Sequence, residues 1–497
     1  MSAYQQLEDR FARVAILSDV TGLLGWDTET MMPKGAIEGR SDQMATLEDL
    51  SHEIVTSSET GDLIGEASKD GAGLSAWQAA NLREMERSYV RASAIPRDLL
   101  LATARANTLC QHAWQQARED NDFKAVKDKL AEVVRLQRET GEALGNALGL
   151  APYDALLDQY DPGARSEGIE RLFAPVRAAL PELIERVVGR QKSAPAIIPL
   201  EGPFPIAQQE KLCRVLLERL GFDFDRGRLD VSAHPFSGGS YGDVRVTTRF
   251  SENTLLPSLL ATIHEGGHAL YEQGRPHDWR MQPVGLAKGM AVHESQSMIM
   301  ELQAAKTEAF LGYLLPLVRA EFGGEGPAWS GDNLRRIIRQ VERGFIRVDA
   351  DELTYPAHIL VRHGIESALI AGDLTVDDLP GAFNEAVERL LGLKVPDDRR
   401  GCLQDIHWYG GAYGYFPMYL VGAMIAAQLF QTAREKVTGI EDALAEGDFR
   451  PLVAWLRENI HGKASLMDRD ELVESATGAP ASADAYLAHL ERRYISN

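Results

Sequence analysis

His264, Glu265 and His268 stand in the run ATIHEGGHALYEQG, and their types and spacing could perform hydrolysis. On a helix, residues four apart share a face, so both imidazoles can reach one metal ion. Glu265 then lies beside the ion rather than on it, where it can take a proton from a water. That is the HExxH arrangement of a zinc peptidase, and it points to peptide-bond hydrolysis. An amphipathic helix can also carry two such histidines for packing alone. Gly266 and Gly267 argue against that reading. Each costs about 0.8–1 kcal/mol relative to Ala in a helix interior. A sequence that keeps both needs close approach there, by a neighbouring helix or by a substrate.

A catalytic zinc takes three protein ligands and keeps one position open. His277, in GRPHDW, is too near the motif and in the wrong pattern to be the third. Glu294, in GMAVHESQSMIMELQAAK, belongs to a run whose apolar and small residues recur with helical spacing. A second helix packed on the first would bring its carboxylate in, giving the set His264, His268 and Glu294. A lone Glu on a helix is otherwise a solvated residue. His293 beside it is expected to orient a ligand or to touch substrate.

The elements that must position these groups are mostly helices. Leu7, Phe11, Val14 and Leu17 form one stripe, and Phe123, Val126, Leu130, Val133 and Val134 another. A third runs through Leu172, Phe173, Val176, Leu180, Leu183, Ile184 and Val187, with Pro175 and Pro181 as expected kinks or boundaries. Pro195, Pro199, Pro203 and Pro205 mark a boundary between an N-terminal helical lobe, 1–192, and a catalytic lobe, 193–497, within one continuous unit. One segment reads as strand, Asp243–Phe250, preceded by the turn-rich Ser237–Ser240. A small sheet just ahead of the motif helix could offer an edge to an extended substrate.

The chain has 497 residues and a formal net charge of -21, which argues against nucleic-acid binding and against an anionic membrane surface. Cys110, Cys213 and Cys402 form no paired framework, as in a reducing compartment. No signal-peptide core opens the sequence, and Tyr415–Phe430, the longest apolar run, reads as a buried helix rather than a membrane span. Cytoplasmic location is the expectation.

Two further clusters carry polar chemistry. Arg347, in IRVDAD, can clamp a carboxylate with its guanidinium fork, or pair structurally with Asp349 or Asp351. GCLQDIHW, residues 401–408, runs into a tyrosine- and glycine-rich stretch. His407 or a tyrosine such as Tyr413 could donate to the oxyanion formed in hydrolysis, or simply pack.

Together these motifs resemble the M32 metallocarboxypeptidases, the thermostable carboxypeptidase Taq type. The family's HPF stands at His234–Phe236, its DxRxT at Asp243, Arg245 and Thr247, and its HES/GQ at His293–Gln296. I/VRxxAD stands at Ile346–Asp351 and GxxQDxHW at Gly401–Trp408, all in family order. The resemblance covers nearly the whole chain. It implies a mainly α, zincin-like, saddle-shaped metallopeptidase with a deep groove and a small β-sheet next to the HExxH helix. It also implies release of single C-terminal amino acids with broad specificity, zinc as the metal with cobalt able to substitute, and a homodimer. The expected roles are Glu265 as general base, Arg347 as carboxylate clamp with Arg245 and His234 as second choices, and His407 or Tyr413 as oxyanion donor. An endo-oligopeptidase or dipeptidyl carboxypeptidase on the same fold is the alternative, because the groove and not the motif sets the cut.

Overall fold

The computed structural model describes residues 1–69 and 71–496. The predicted stripes become buried faces. Leu7 and Phe11, on the helix Ala3–Thr30, join Leu63, Ile64, Leu82 and Met85 in a small core among the N-terminal helices. The stripes from Phe123 and from Phe173 enter a second, much larger core that continues to Leu490. This core passes residue 193 without interruption. The proline-rich segment there is extended and links the helices Ser166–Ser193 and Ile206–Leu220, with Phe204 buried in the same core.

Pro175 and Pro181 end nothing. Both lie inside the 28-residue helix Ser166–Ser193. Each removes one backbone hydrogen bond, but Phe173, Val176, Leu180 and Leu183 are buried on either side and hold the turns together. The run Tyr415–Phe430 supplies most of the helix Pro417–Lys436, which is buried along most of its length. No helix among the described residues is long and apolar enough to cross a membrane. All three cysteines are buried and free.

The sheet has three strands, β1 (Gly227–Val231), β2 (Ser237–Ser240) and β3 (Asp243–Thr248), in the order β1-β3-β2. β1 runs parallel to β3 with Leu229 opposite Val246, and β2 runs antiparallel with Ser237 opposite Val246. One expectation is corrected here. The glycine-rich stretch Ser237–Ser240, read as turn, is itself a strand, so β3 is central and β1 and β2 are the edges. Glycine and serine bring little strand preference of their own, so the pairing with β3 sets the conformation. Val244 and Val246 face the core. Thr247 pins the HPF segment, its Oγ1 accepting from the Phe236 backbone N–H at 3.0 Å. Thr248 Oγ1 donates to the Ser258 carbonyl at 3.3 Å, tying the end of β3 to the motif helix.

Candidate metal centre

The motif forms one helix, Leu256–Gly274, and Glu294 lies on the next, Met290–Met298. Gly267 lets these two helices approach, and Gly266 lets the helix Ile206–Leu220 approach from another side. A Cβ on Gly266 would stand 2.7 Å from Leu220 Cδ1, and one on Gly267 would stand 2.5 Å from the Gln296 carbonyl oxygen. The space is used by neighbouring helices, one of which carries Glu294.

His264, His268 and Glu294 converge, with one ligand atom from each within 4.8 Å of the others. His264 Nε2 lies 3.7 Å from Glu294 Oε1, and His268 Nε2 lies 3.3 Å from Glu294 Oε2. A tetrahedral ion with bonds near 2.1 Å spaces its ligand atoms about 3.4 Å apart. The donor set and its spacing therefore fit a zinc-like divalent cation, with both Nε2 atoms and the carboxylate as ligands.

The remaining ring nitrogens are tied down. His264 Nδ1 lies 2.9 Å from Glu301 Oε2, and His268 Nδ1 lies 2.7 Å from His293 Nδ1. His293 Nε2 reaches Glu272 Oε1 at 3.0 Å, and Glu272 is held in turn by Arg275 at 2.8 Å. If the two Nε2 atoms bind metal, His264 Nδ1–H donates to Glu301 and His268 Nδ1–H donates to His293. Such partners fix ring tautomer and orientation. Glu301 belongs to a π-helical segment, Ile299–Ala304, that continues the Glu294 helix. The wider turn presents Glu301 to His264.

Burial and charge set the protonation pattern. Burial alone would depress the His264 imidazole, but Glu301, Glu294 and Glu265 outweigh it and raise it to about 10. Burial dominates at His268 and lowers it to about 4. For Glu294, burial opposes ionisation, yet His268 and His264 outweigh it and hold the carboxyl at about 2. Glu265 is pushed up to about 7, chiefly by burial. A carboxyl poised near neutrality suits proton exchange with water.

Arg347 is buried and engages neither Asp349 nor Asp351. Its Nη2 pairs with Asp405 at 3.0 Å, and Arg362 Nε donates to the other Asp405 oxygen at 2.7 Å. Asp351 instead accepts the backbone N–H groups of Glu342, Leu353 and Thr354. Arg347 Nη1 donates to the Tyr355 hydroxyl at 3.1 Å. The helix that carries Tyr419 packs on Glu294, a Cβ at Gly422 standing 3.1 Å from Glu294 Cβ, and Glu294 is among the charges that raise Tyr355 and Tyr419. His407 adjoins the Arg347 cluster, its ring 4.6 Å from that of Phe416, which Arg347 also contacts.

Tyr413 is a correction. Its side chain is 1 % exposed, and its ionisable neighbours are Glu366, Cys110 and Arg138 rather than the metal ligands. The core encloses it because Gly411 and Gly414 turn the chain inward. His234 is exposed, and Arg245 pairs with Asp243 at 2.6 Å and stacks over Trp26 at 4.3 Å. Neither has a hydrogen bond or ion pair to the His264–His268–Glu294 cluster among the described residues. Sequence reasoning missed Glu301, Glu272, Tyr355 and Tyr419. The spacing of Glu301, seven residues after Glu294 on a continuing helical pattern, was a usable signal; the others had none.

Comparison with known proteins decides the class. Residues 6–494 match the family described as Carboxypeptidase Taq (M32) metallopeptidase. The chain belongs to that family. It is a metallocarboxypeptidase, and its metal dependence follows from membership. Thermostable carboxypeptidase 1 of Thermus thermophilus is 38% identical over 100% of this chain and 99% of its own length. Carboxypeptidase 1 of Bacillus subtilis is 32% identical over 98% of this chain and 97% of its own. Among solved structures, Trypanosoma cruzi metallocarboxypeptidase 1 superposes with a TM-score of 0.97 at 39% identity, covering 99% of both chains.

Proposed function

We propose that this carboxypeptidase removes single residues, with broad specificity, from peptides bearing a free C-terminus, using Glu265 as general base. The convergence of His264, His268 and Glu294 with Glu265 beside them carries the reading. We assign zinc as the metal, with cobalt able to replace it, because two imidazoles and one carboxylate are the donor set of open catalytic zinc sites. When bound, the ion supplies Lewis acidity at the scissile carbonyl and acidifies water. Glu265 takes the proton of the attacking water and returns it to the leaving amine.

The Tyr355 and Tyr419 hydroxyls, beside Glu294, are the best-placed donors to the developing oxyanion. His407 is a further candidate through the same cluster. Arg347 receives the substrate carboxylate. Asp405 and Tyr355 hold its guanidinium rigid, and a pre-oriented fork loses little freedom on binding. His234 and Arg245 are assigned to the groove wall rather than to the reacting carbonyl. A cytoplasmic homodimer is the assembly we expect, and light scattering of the purified protein tests it.

Glu265→Gln should keep stoichiometric metal while turnover falls by about 10²–10⁴-fold. Metal analysis beside a peptide assay measures both, and a fully active variant would remove Glu265 from the role. Arg347→Ala should weaken cleavage of free-acid peptides far more than of their C-terminal amides. Equal losses would exclude the clamp. Mass spectrometry of a digested peptide library settles the cut: stepwise loss of one residue supports the reading, whereas dipeptides or internal fragments support the endopeptidase alternative.

A further inference from the structure

The π-helical segment that carries Glu301 also borders a cavity of about 290 Å³, which opens beside Gln303, Lys306 and Thr307. Five cations line it (Lys306, Arg339, Arg434, Arg492 and Arg493) against two carboxylates, Glu308 and Glu441. Three of the cations are already matched. Arg339 pairs with Glu308 at 2.6 Å, Arg434 with Glu441 at 2.7 Å, and Arg493 with the buried Glu352 at 2.8 Å. Lys306 and the exposed Arg492 make no direct ion pair among the described residues.

Lys306 is the telling residue. It is 7 % exposed, and among the described residues its ammonium has neither a hydrogen-bond acceptor nor a carboxylate within ion-pair distance. The buried Glu352 carboxylate, which Arg493 and His489 already engage, balances its charge only from a distance, so the ammonium keeps its donors free toward the cavity. An adjoining cleft of about 890 Å³ shares Arg339 and Arg493. It is lined by six cationic side chains and no acidic one, and Arg336 Nε there is buried without a partner. Its other wall is apolar, with Val187, Val188, Pro195 and Ile197. A chain of net charge -21 does not gather such a surface from its average composition.

We propose that these two cavities form one binding site for a phosphate-chain ligand, with phosphoryl oxygens at Lys306 and Arg492. A phosphate chain brings several charges and many acceptor oxygens to the guanidiniums and the Lys306 ammonium, whereas a single carboxylate answers only one of them. Free pyrophosphate and a nucleoside triphosphate share this chemistry. The apolar wall separates them, since only the nucleoside has a surface to bury there.

Isothermal titration of the metal-loaded protein with pyrophosphate and with ATP tests the proposal, with metal content verified after each run. Lys306→Met and Arg492→Ala should each weaken binding by at least about tenfold, the worth of one charge-assisted contact. Peptide hydrolysis without phosphate should stay near that of the parent in both variants, which also reports folding. Tighter binding of ATP would identify a nucleotide as the source, and equal binding would identify the bare phosphate chain. Three results would overturn the site: no binding to the parent, variants that bind as the parent does, or competition between pyrophosphate and a substrate peptide, which would place the anion at the metal centre.

Discussion

Adding one methyl group at Gly267 should loosen the metal without removing a ligand. A Cβ there would lie 2.5 Å from the Gln296 carbonyl oxygen and 2.6 Å from Ser297 Cα. Both obstacles are backbone, so no side chain can swing aside. Reaching an ordinary contact of 3.4 Å requires the two helices to part by about 0.9 Å. Gln296 and Ser297 follow Glu294 on the same helix, so the carboxylate moves with them, while a metal site tolerates only about ±0.2 Å. Gly267→Ala gains about 1 kcal/mol in helix propensity and loses about 1–3 kcal/mol to overpacking. The metal-free protein should therefore melt close to or slightly below the parent. Metal affinity should fall by about 10–100-fold, the range seen when ligand orientation is disturbed. Competition against a fluorescent zinc chelator measures the affinity, and thermal melts of the metal-free protein measure the stability. Gly364→Ala is the control: it sits inside the helix Tyr355–Ala371, and its Cβ would meet nothing within 4 Å. It should gain up to about 1 kcal/mol and leave metal affinity unchanged. Parental metal affinity in Gly267→Ala would refute the claim that helix contact at this glycine sets the Glu294 position.

Two further predictions concern buried charge. Asp405→Asn leaves Arg347 and Arg362 without their shared counterion and should cost about 3–5 kcal/mol in urea unfolding; a loss under 1 kcal/mol would show that the two guanidiniums find another partner. Glu366 is fully buried under the Tyr153 hydroxyl at 2.7 Å, and burial pushes its carboxyl up to about 8. The unfolded chain ionises it near 4.5, so between these values the folded state holds the extra proton. Its contribution is complete below pH ~4.5, falls by up to about 1.4 kcal/mol per pH unit through this window, and levels off above pH ~8. Glu366→Gln should flatten that decline, as urea unfolding across the same range will show, and identical slopes in parent and variant would reject the assignment.

The convergence of His264, His268 and Glu294 was legible because helical spacing is local. Two histidines four apart and an acid on a second apolar-striped helix state their geometry within a few turns. The layer behind them was less so. Glu301 stands seven residues after Glu294, a spacing that hints at a shared face, but the π-helical turn that aims it at His264 leaves no such mark, and Glu272 acquires its role only through His293. Arg347 shows the same limit from the other side. Its neighbours in sequence, Asp349 and Asp351, are carboxylates of the right type, yet Asp351 caps backbone N–H groups and the partner is Asp405, far along the chain. For Pro175 and Pro181, read as kinks or boundaries, only the boundary is excluded: a proline weakens a helix locally, and burial of its neighbours decides whether the helix continues. Tyr413 sat in a polar-looking motif, but the loop glycines turn it into the core.

The charge around the three histidines explains why the site needs so many acids. Glu265, Glu272, Glu294 and Glu301 all approach the rings, and only Glu272 has a permanent cation, Arg275, at hand. Without an ion the cluster must borrow protons, and His264 raised to about 10 together with Glu265 raised to about 7 are the result. A divalent cation supplies that positive charge directly. With such an ion held by His264, His268 and Glu294, His264 would be neutral, and Glu265 would be left to exchange its proton with water. The surplus of carboxylates would therefore serve two ends in the proposed reaction, attracting a cation and leaving Glu265, which has no hydrogen bond or ion pair among the described residues, free to exchange a proton.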